Sequence, residues 1–163
     1  YNEKDKRCQR IKKCLQEQLI RLYNQGVRCF WVGGAMGVDM WAAELLLRMK
    51  EQQAYQDVEL CLALPFEGYN TDWDDWHRKR MDFICRYAEK VLVLGEMPSS
   101  ESYKKRNYYM VEQAGHMIAV YDNAHNMRSG TQQTVNYAKK KGLQIIYIHP
   151  DTAQVTAEDI TKK

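Results

Sequence analysis

The stretch Val27-Arg28-Cys29-Phe30-Trp31-Val32-Gly33-Gly34-Ala35-Met36-Gly37-Val38-Asp39-Met40-Trp41-Ala42-Ala43-Glu44 decides the fold. A short run rich in aliphatic and aromatic residues enters three glycines, and a stretch rich in alanine and leucine leaves them. That order is strand, tight turn, helix. Working outward, similar short apolar runs at 58–64, 90–94, 117–121 and 144–149 predict strands buried on both faces. Between them, helical periodicity predicts helices near 5–24, 38–53, 71–88, 103–114 and 130–141. In the first of these, Ile11, Leu15, Leu19 and Leu22 form one apolar stripe. Gly26 and Gly142 stand where helices should stop. Strand and helix alternating this regularly predict an α/β protein, a Rossmann-like doubly wound parallel sheet with helices on both faces. The order opens on a helix, so the sheet lacks its usual first strand. A missing central strand would leave a gap of ~10 Å, twice the ordinary spacing.

The 163 residues suit one domain, expected over 1–150, followed by a polar tail at 151–163 that should pack loosely. With 45% hydrophobic and 28% charged residues, composition excludes a disordered tail and a collagen-like rod. No apolar run approaches the roughly 18 residues of a spanning helix, which argues against a membrane protein. The charged start Tyr1-Asn2-Glu3-Lys4-Asp5-Lys6-Arg7 has no apolar signal core, so a cytoplasmic location is the expectation. Five cysteines, an odd number without metal-ligand spacing, read as structural thiols, with Cys29 and Cys61 inside apolar runs as small core hydrophobes. The net charge is only +3, with local surpluses at Lys4, Lys6, Arg7, Arg10, Lys12 and Lys13 and at Lys139-Lys140-Lys141. These read first as solvated helix faces and a helix carboxyl terminus, and less readily as a phosphate-binding surface.

In doubly wound sheets, ligands bind beyond the carboxyl ends of the strands, at the starts of the following helices. The first such junction holds Gly33, Gly34 and Gly37, whose backbone can approach an anion at a helix amino terminus. It is neither GxGxxG nor a Walker loop, and a tight turn without ligand is the competing reading. Asp39 there suits a ribose hydroxyl or an amine; Trp41 and Glu44 share the next helical face and read equally as core and surface. The second junction is Leu64-Pro65-Phe66-Glu67-Gly68-Tyr69. The third stretch carries Arg106, able to fork onto phosphate or carboxylate, and Asn107, able to read an amide. The fourth runs from Asp122 to Ser129-Gly130-Thr131 and Thr134, a helix start with hydroxyls and free N–H groups, or simply an N-cap. Two glycine-bearing helix starts on one sheet edge point together to a pocket for a phosphate-bearing, nucleotide-like molecule.

The segments GGAMGVDMWAAE, LPFEGY, RNYYMVEQA, MIAVYD and SGTQQTVNYA, in order from about residue 5 to 149, resemble the YpsA-like branch of the SLOG superfamily. The resemblance implies a Rossmann-like fold and a nucleotide-derived ligand. Its first glycine motif matches Gly33, Gly34, Gly37 and Asp39, and its second matches Gly130 and Thr131, with Ser129 in place of the more usual glycine. Members usually begin with a strand ending in a pocket-lining loop, so an upstream strand is expected for the natural chain. Phosphoribohydrolases of the superfamily carry a catalytic glutamate where this chain has Thr134, and a hydroxyl cannot replace that carboxylate. Enzymatic activity is therefore left open and disfavoured, with Glu44 and Asp39 the candidate carboxylates if it exists.

The leading expectation is a cytoplasmic binding or sensing domain for an ADP-ribose- or NAD-like nucleotide derivative. Phosphate would lie at the helix starts after Gly37 and Gly130, with no cofactor or metal required. A nucleoside-monophosphate N-glycoside hydrolase comes second and Smf-like single-stranded DNA binding third. Among partners, a small molecule ranks above nucleic acid, a membrane is excluded and a homo-oligomer is allowed.

Overall fold

A computed structural model describes residues 2–121 and 130–158. Five helices alternate with strands: α1 (Lys6–Asn24), β1 (Cys29–Val32), α2 (Val38–Glu51), β2 (Glu59–Leu64), α3 (Asp75–Tyr87), β3 (Lys90–Val93), α4 (Ser100–Glu112), β4 (His116–Val120), α5 (Gly130–Lys140), β5 (Gln144–Ile148) and β6 (Val155–Glu158). The α/β architecture is the one the alternating pattern predicts, and the five expected strands and helices all form.

Local chemistry explains the boundaries. Asp5 caps α1, its carboxylate accepting from the Arg7 amide at 3.1 Å. Asp74 caps α3 and Ser99 caps α4, so these helices start at residues 75 and 100 rather than near 71 and 103. At the other end of α1, Gly26 N–H donates to Tyr23 O and Val27 N–H to Leu22 O, a Schellman closure. Gly142 and Leu143 repeat it after α5, donating to Lys139 O and Ala138 O.

β1, β2 and β3 pair in parallel in that order, with Phe30 opposite Leu60 and Leu62 opposite Val91. β4 and β5 pair in parallel, and β6 adds antiparallel to β5. The expected single sheet is thus divided into two three-stranded sheets, and the edges of β1 and β4 are not paired with each other. One apolar core nevertheless joins both sheets. Ile11, Leu15, Leu19 and Leu22 of α1 are buried with β2's Leu60 and Leu62, and Ile118, Val120, Ile146 and Ile148 of the second sheet pack against them. Each such side chain contributes about 1.5–3 kcal/mol on burial. The alternate residues, Ala119, Ile145 and Tyr147, face a second core with Val111 of α4 and Val135 and Ala138 of α5. That period of two is why helices cover both faces.

Two expectations are corrected. Residues 151–158 do not pack loosely: Ala153 is buried, Cys14 Sγ lies 3.3 Å from its carbonyl oxygen, and Val155–Glu158 forms the sheet's outer strand. A parallel sheet accepts an antiparallel edge strand readily. Cys29 is not a buried hydrophobe; it is exposed, with Cys61 Sγ 3.5 Å away on the neighbouring strand. Among the described residues no helix is long and apolar enough to cross a membrane.

Candidate functional site

The β1–α2 junction is built around backbone that side chains approach closely. Arg106 Nη1, from α4, donates to the Gly33 carbonyl. A Cβ on Gly33 would lie 2.8 Å from Arg106 Nη1 and 2.9 Å from Asp39 Oδ2, so any side chain there would have to displace one of them. Gly34, at φ 78°, would place a Cβ 2.5 Å from Leu64 Cδ2, and Tyr69 Oη donates to its carbonyl at 2.8 Å. Gly37 caps α2 with no side-chain hydrogen bond. Asp39, in the helix's first turn, accepts from the Ala35 amide at 3.2 Å.

Burial governs the electrostatics. Arg106 is only 6% exposed, and desolvation pulls its guanidinium below its ordinary value while the Asp39 charge opposes that shift. Asp39 keeps some surface open, yet it is packed deeply enough that desolvation raises its carboxyl above the usual range. The Arg106 charge and the Ala35 amide offset this only in part. Burial likewise raises the Tyr69 phenol, which remains a hydrogen-bond donor.

Arg106 also links the two glycine-bearing helix starts. Its Nε donates to Asn107 Oδ1 at 2.7 Å, and Asn107 Nδ2 lies 3.6 Å from where a Gly130 Cβ would be. The guanidinium is 5.5 Å from the Tyr103 ring, whose edge meets Phe66 at 5.7 Å. Within α5, Thr134 Oγ1 donates to the Gly130 carbonyl at 2.6 Å, so its hydroxyl is already engaged.

A cleft of about 950 Å³ opens here, within the size range of small-molecule sites. Of the residues singled out from sequence, Gly33, Asp39, Arg106, Asn107, Gly130, Thr131 and Thr134 line it. Gly34 and Gly37 belong to the same β1–α2 junction without lining the cleft. Pro65 accepts the Gly95 amide at 2.8 Å, and Phe66 backs Tyr103. Trp41 is in the core, 2% exposed. Asp122 and Ser129 lie outside the described residues.

Glu44 is engaged elsewhere. Its carboxylate accepts from Arg80 Nη2 at 2.6 Å and Nε at 3.2 Å, while Glu3 accepts from Arg80 at 2.6 and 3.0 Å and pairs with Lys12 at 3.0 Å. The Arg80 hydrogen bonds hold the Glu3 carboxyl down at about 2. This half-buried network ties α2 and α3 to the start of the chain.

The sequence reading missed Met36 and Tyr103, which line the cleft with 46% and 41% of their surface exposed. Met36 lies inside the glycine loop and Tyr103 in the first turns of α4, where neither residue type announces a site by itself. Arg80 carried no local signal. Among the described residues no cluster of His, Cys, Asp and Glu has the makings of a metal site.

Comparison with known proteins adds relatives to this geometry. The family model described as the YspA SLOG family, named YpsA, matches residues 1–153. UPF0398 proteins from Bacillus cereus (strains ATCC 14579 and B4264) are 31% identical over 134 residues, 81% of this chain and 71% of theirs. One from Bacillus thuringiensis (strain Al Hakam) is 30% identical over the same extent.

Proposed function

The chain belongs to the YpsA-type SLOG family, and on that premise we propose that it binds a nucleotide-derived small molecule of the ADP-ribose or NAD kind. The observation that carries this reading is the convergence of two helix starts, α2 at Val38 after Gly37 and α5 at Gly130, on one cleft beside the buried Arg106 cation. Helix amino termini supply N–H donors and the positive end of the dipole to a phosphate. Asp39, whose carboxyl is costly to keep charged without further partners, would accept hydrogen bonds from ribose hydroxyls. Met36 and Tyr103 offer apolar surface at the rim to a base.

The engagement of Glu44 with Arg80 and of Thr134 with its own helix weighs against glycoside hydrolysis. Binding without turnover is the better-supported reading.

Thermal unfolding against ADP-ribose, NAD, AMP, cyclic nucleotides and short single-stranded DNA tests it. A ligand at 100 times its dissociation constant adds about 2.7 kcal/mol. In a domain of this size that raises the midpoint by roughly 5–10 °C. Thr131→Asp and Gly37→Asp should abolish the shift. A shift that survives both substitutions refutes the placement, and no shift with any nucleotide refutes the reading. Chromatography of the positive ligand after incubation then separates binding from release of free base.

A further inference from the structure

α3 turns an aromatic stripe outward. Trp76, Phe83 and Tyr87, at spacings of seven and four, fall on one face of the helix, and 60%, 56% and 53% of their surfaces stay exposed. A contiguous row of exposed aromatics marks an interaction surface. The row is also held in place. Arg80, fastened by Glu3 and Glu44, lies 4.5 Å over the Trp76 ring, and His77 makes a T-shaped contact with that ring at 4.9 Å. Phe83 and Tyr87 meet one turn apart, with ring centroids 4.7 Å from each other. Little side-chain freedom is left to lose when a partner arrives. Beside the stripe runs a row of alternating charge: Asp75, Lys79, Asp82 and Arg86, all exposed. Asp75 pairs with Arg78 of its own helix, whereas Lys79, Asp82 and Arg86 make no ion pair among the described residues.

We infer that this face of α3 binds a second copy of the chain, the two α3 helices packing antiparallel about a two-fold axis between residues 80 and 81. The charge row selects that occupant. In an antiparallel two-fold pair, each flank of a helix meets the same flank of its mate, reversed in direction. Lys79 then stands opposite Asp82 of the second copy, and Asp75 opposite its Arg86, and the symmetry forms each pair twice. The same register sets Trp76 level with position 85 of the second copy, between its Phe83 and Tyr87, as a knob enters a hole. A slide of one turn in either direction would face Lys79 with Arg86 or Asp75 with Asp82, so the neighbouring registers are repelled. Area agrees with a modest pair. At about 150–250 Å² for a whole aromatic side chain, the exposed shares leave roughly 250–400 Å² of apolar surface on each copy. Two copies with their flanking charges bury on the order of 1,000 Å², the low end of specific interfaces. Association in the micromolar range is therefore expected.

Sedimentation velocity of the 163-residue chain across the micromolar range tests this, with no nucleotide present, so failure here is separate from failure of the ligand reading. Phe83→Ser should weaken the dimer at least about tenfold, as loss of a central aromatic anchor does. Lys79→Asp and Asp82→Lys should each weaken it at least about tenfold, because each sets like charges opposite one another twice. An equimolar mixture of those two variants should dimerise as the parent chain does, since the mixed pair restores both contacts; the double variant should do the same. These positions are exposed, and circular dichroism checks that every variant is folded. A chain that stays monomeric throughout overturns the proposal, as does a dimer indifferent to Phe83→Ser. Charge variants that weaken the dimer without rescuing one another overturn the register. Flotation of a monomeric chain with phosphatidylserine vesicles, lost in Phe83→Ser, also overturns it and would assign the stripe to a lipid surface.

Discussion

Replacing Gly33 by alanine isolates the contact on which the candidate site is built. The added methyl would sit 2.8 Å from Arg106 Nη1 and 2.9 Å from Asp39 Oδ2, well inside contact distance for both. The φ of Gly33 is not in the left-handed region, so the substitution is opposed by space rather than by backbone strain. Arg106 is 6% exposed and cannot swing into solvent freely. It must give up the Gly33 carbonyl, which leaves a buried charged donor short of a partner at about 1.5–3 kcal/mol. Overpacking by itself costs about 1–3 kcal/mol, and because the two effects overlap the expected loss is about 2–4 kcal/mol. For a chain of this length that lowers the midpoint by roughly 5–15 °C. Urea unfolding of Gly33→Ala, Arg106→Met and the double variant measures both the loss and its origin. If the methyl acts through Arg106, the double variant loses less than the sum of the singles. A loss below about 0.5 kcal/mol, or strict additivity with Arg106→Met, refutes the reasoning, since contacting residues couple by more than that.

Glu3 is held at about 2 in the folded chain against an ordinary 4.5, so its contribution is complete above the unfolded value and is lost as pH falls from about 5 towards 2. Because the network is half open to solvent, about 1 kcal/mol is expected, and Glu3→Gln should remove that part of the acid dependence in urea titrations. Asp39 has the opposite sign: its raised carboxyl favours the neutral form, so Asp39→Asn should leave stability at pH 7 unchanged or higher while weakening any ribose-bearing ligand, as thermal unfolding with and without nucleotide would reveal. Tyr108 and Tyr137 stack with centroids 3.8 Å apart, joining α4 to α5; Tyr137→Ala should cost at least about 1 kcal/mol by urea unfolding, Tyr137→Phe far less.

Much of the architecture is local chemistry and was legible in order along the chain. The stripe Ile11, Leu15, Leu19 and Leu22, the Schellman glycines and the apolar strand runs each state their conformation within a few residues. The glycine loop was legible as a site for the same reason: only a tight strand-to-helix turn calls for Gly33, Gly34 and Gly37 together. β6 was not, because Val155-Thr156-Ala157-Glu158 is too short and too polar to announce itself without β5 beside it.

Arg106 meets Gly33 across 73 positions, Arg80 meets Glu44 across 36 and Glu3 across 77. No periodicity links such residues, since their pairing depends on how helices settle on a sheet. For that reason Glu44, legible from sequence only as a carboxylate near the site, proves to be a fastening between helices, and Trp41 proves to be core. The sequence alone determined the elements, their order and the edge at which a ligand would lie, because hydrophobic period and turn chemistry act over short range. Only the tertiary structure decided which charges are buried, which are paired and where the sheet is open, because desolvation and strand pairing exist only once distant segments meet.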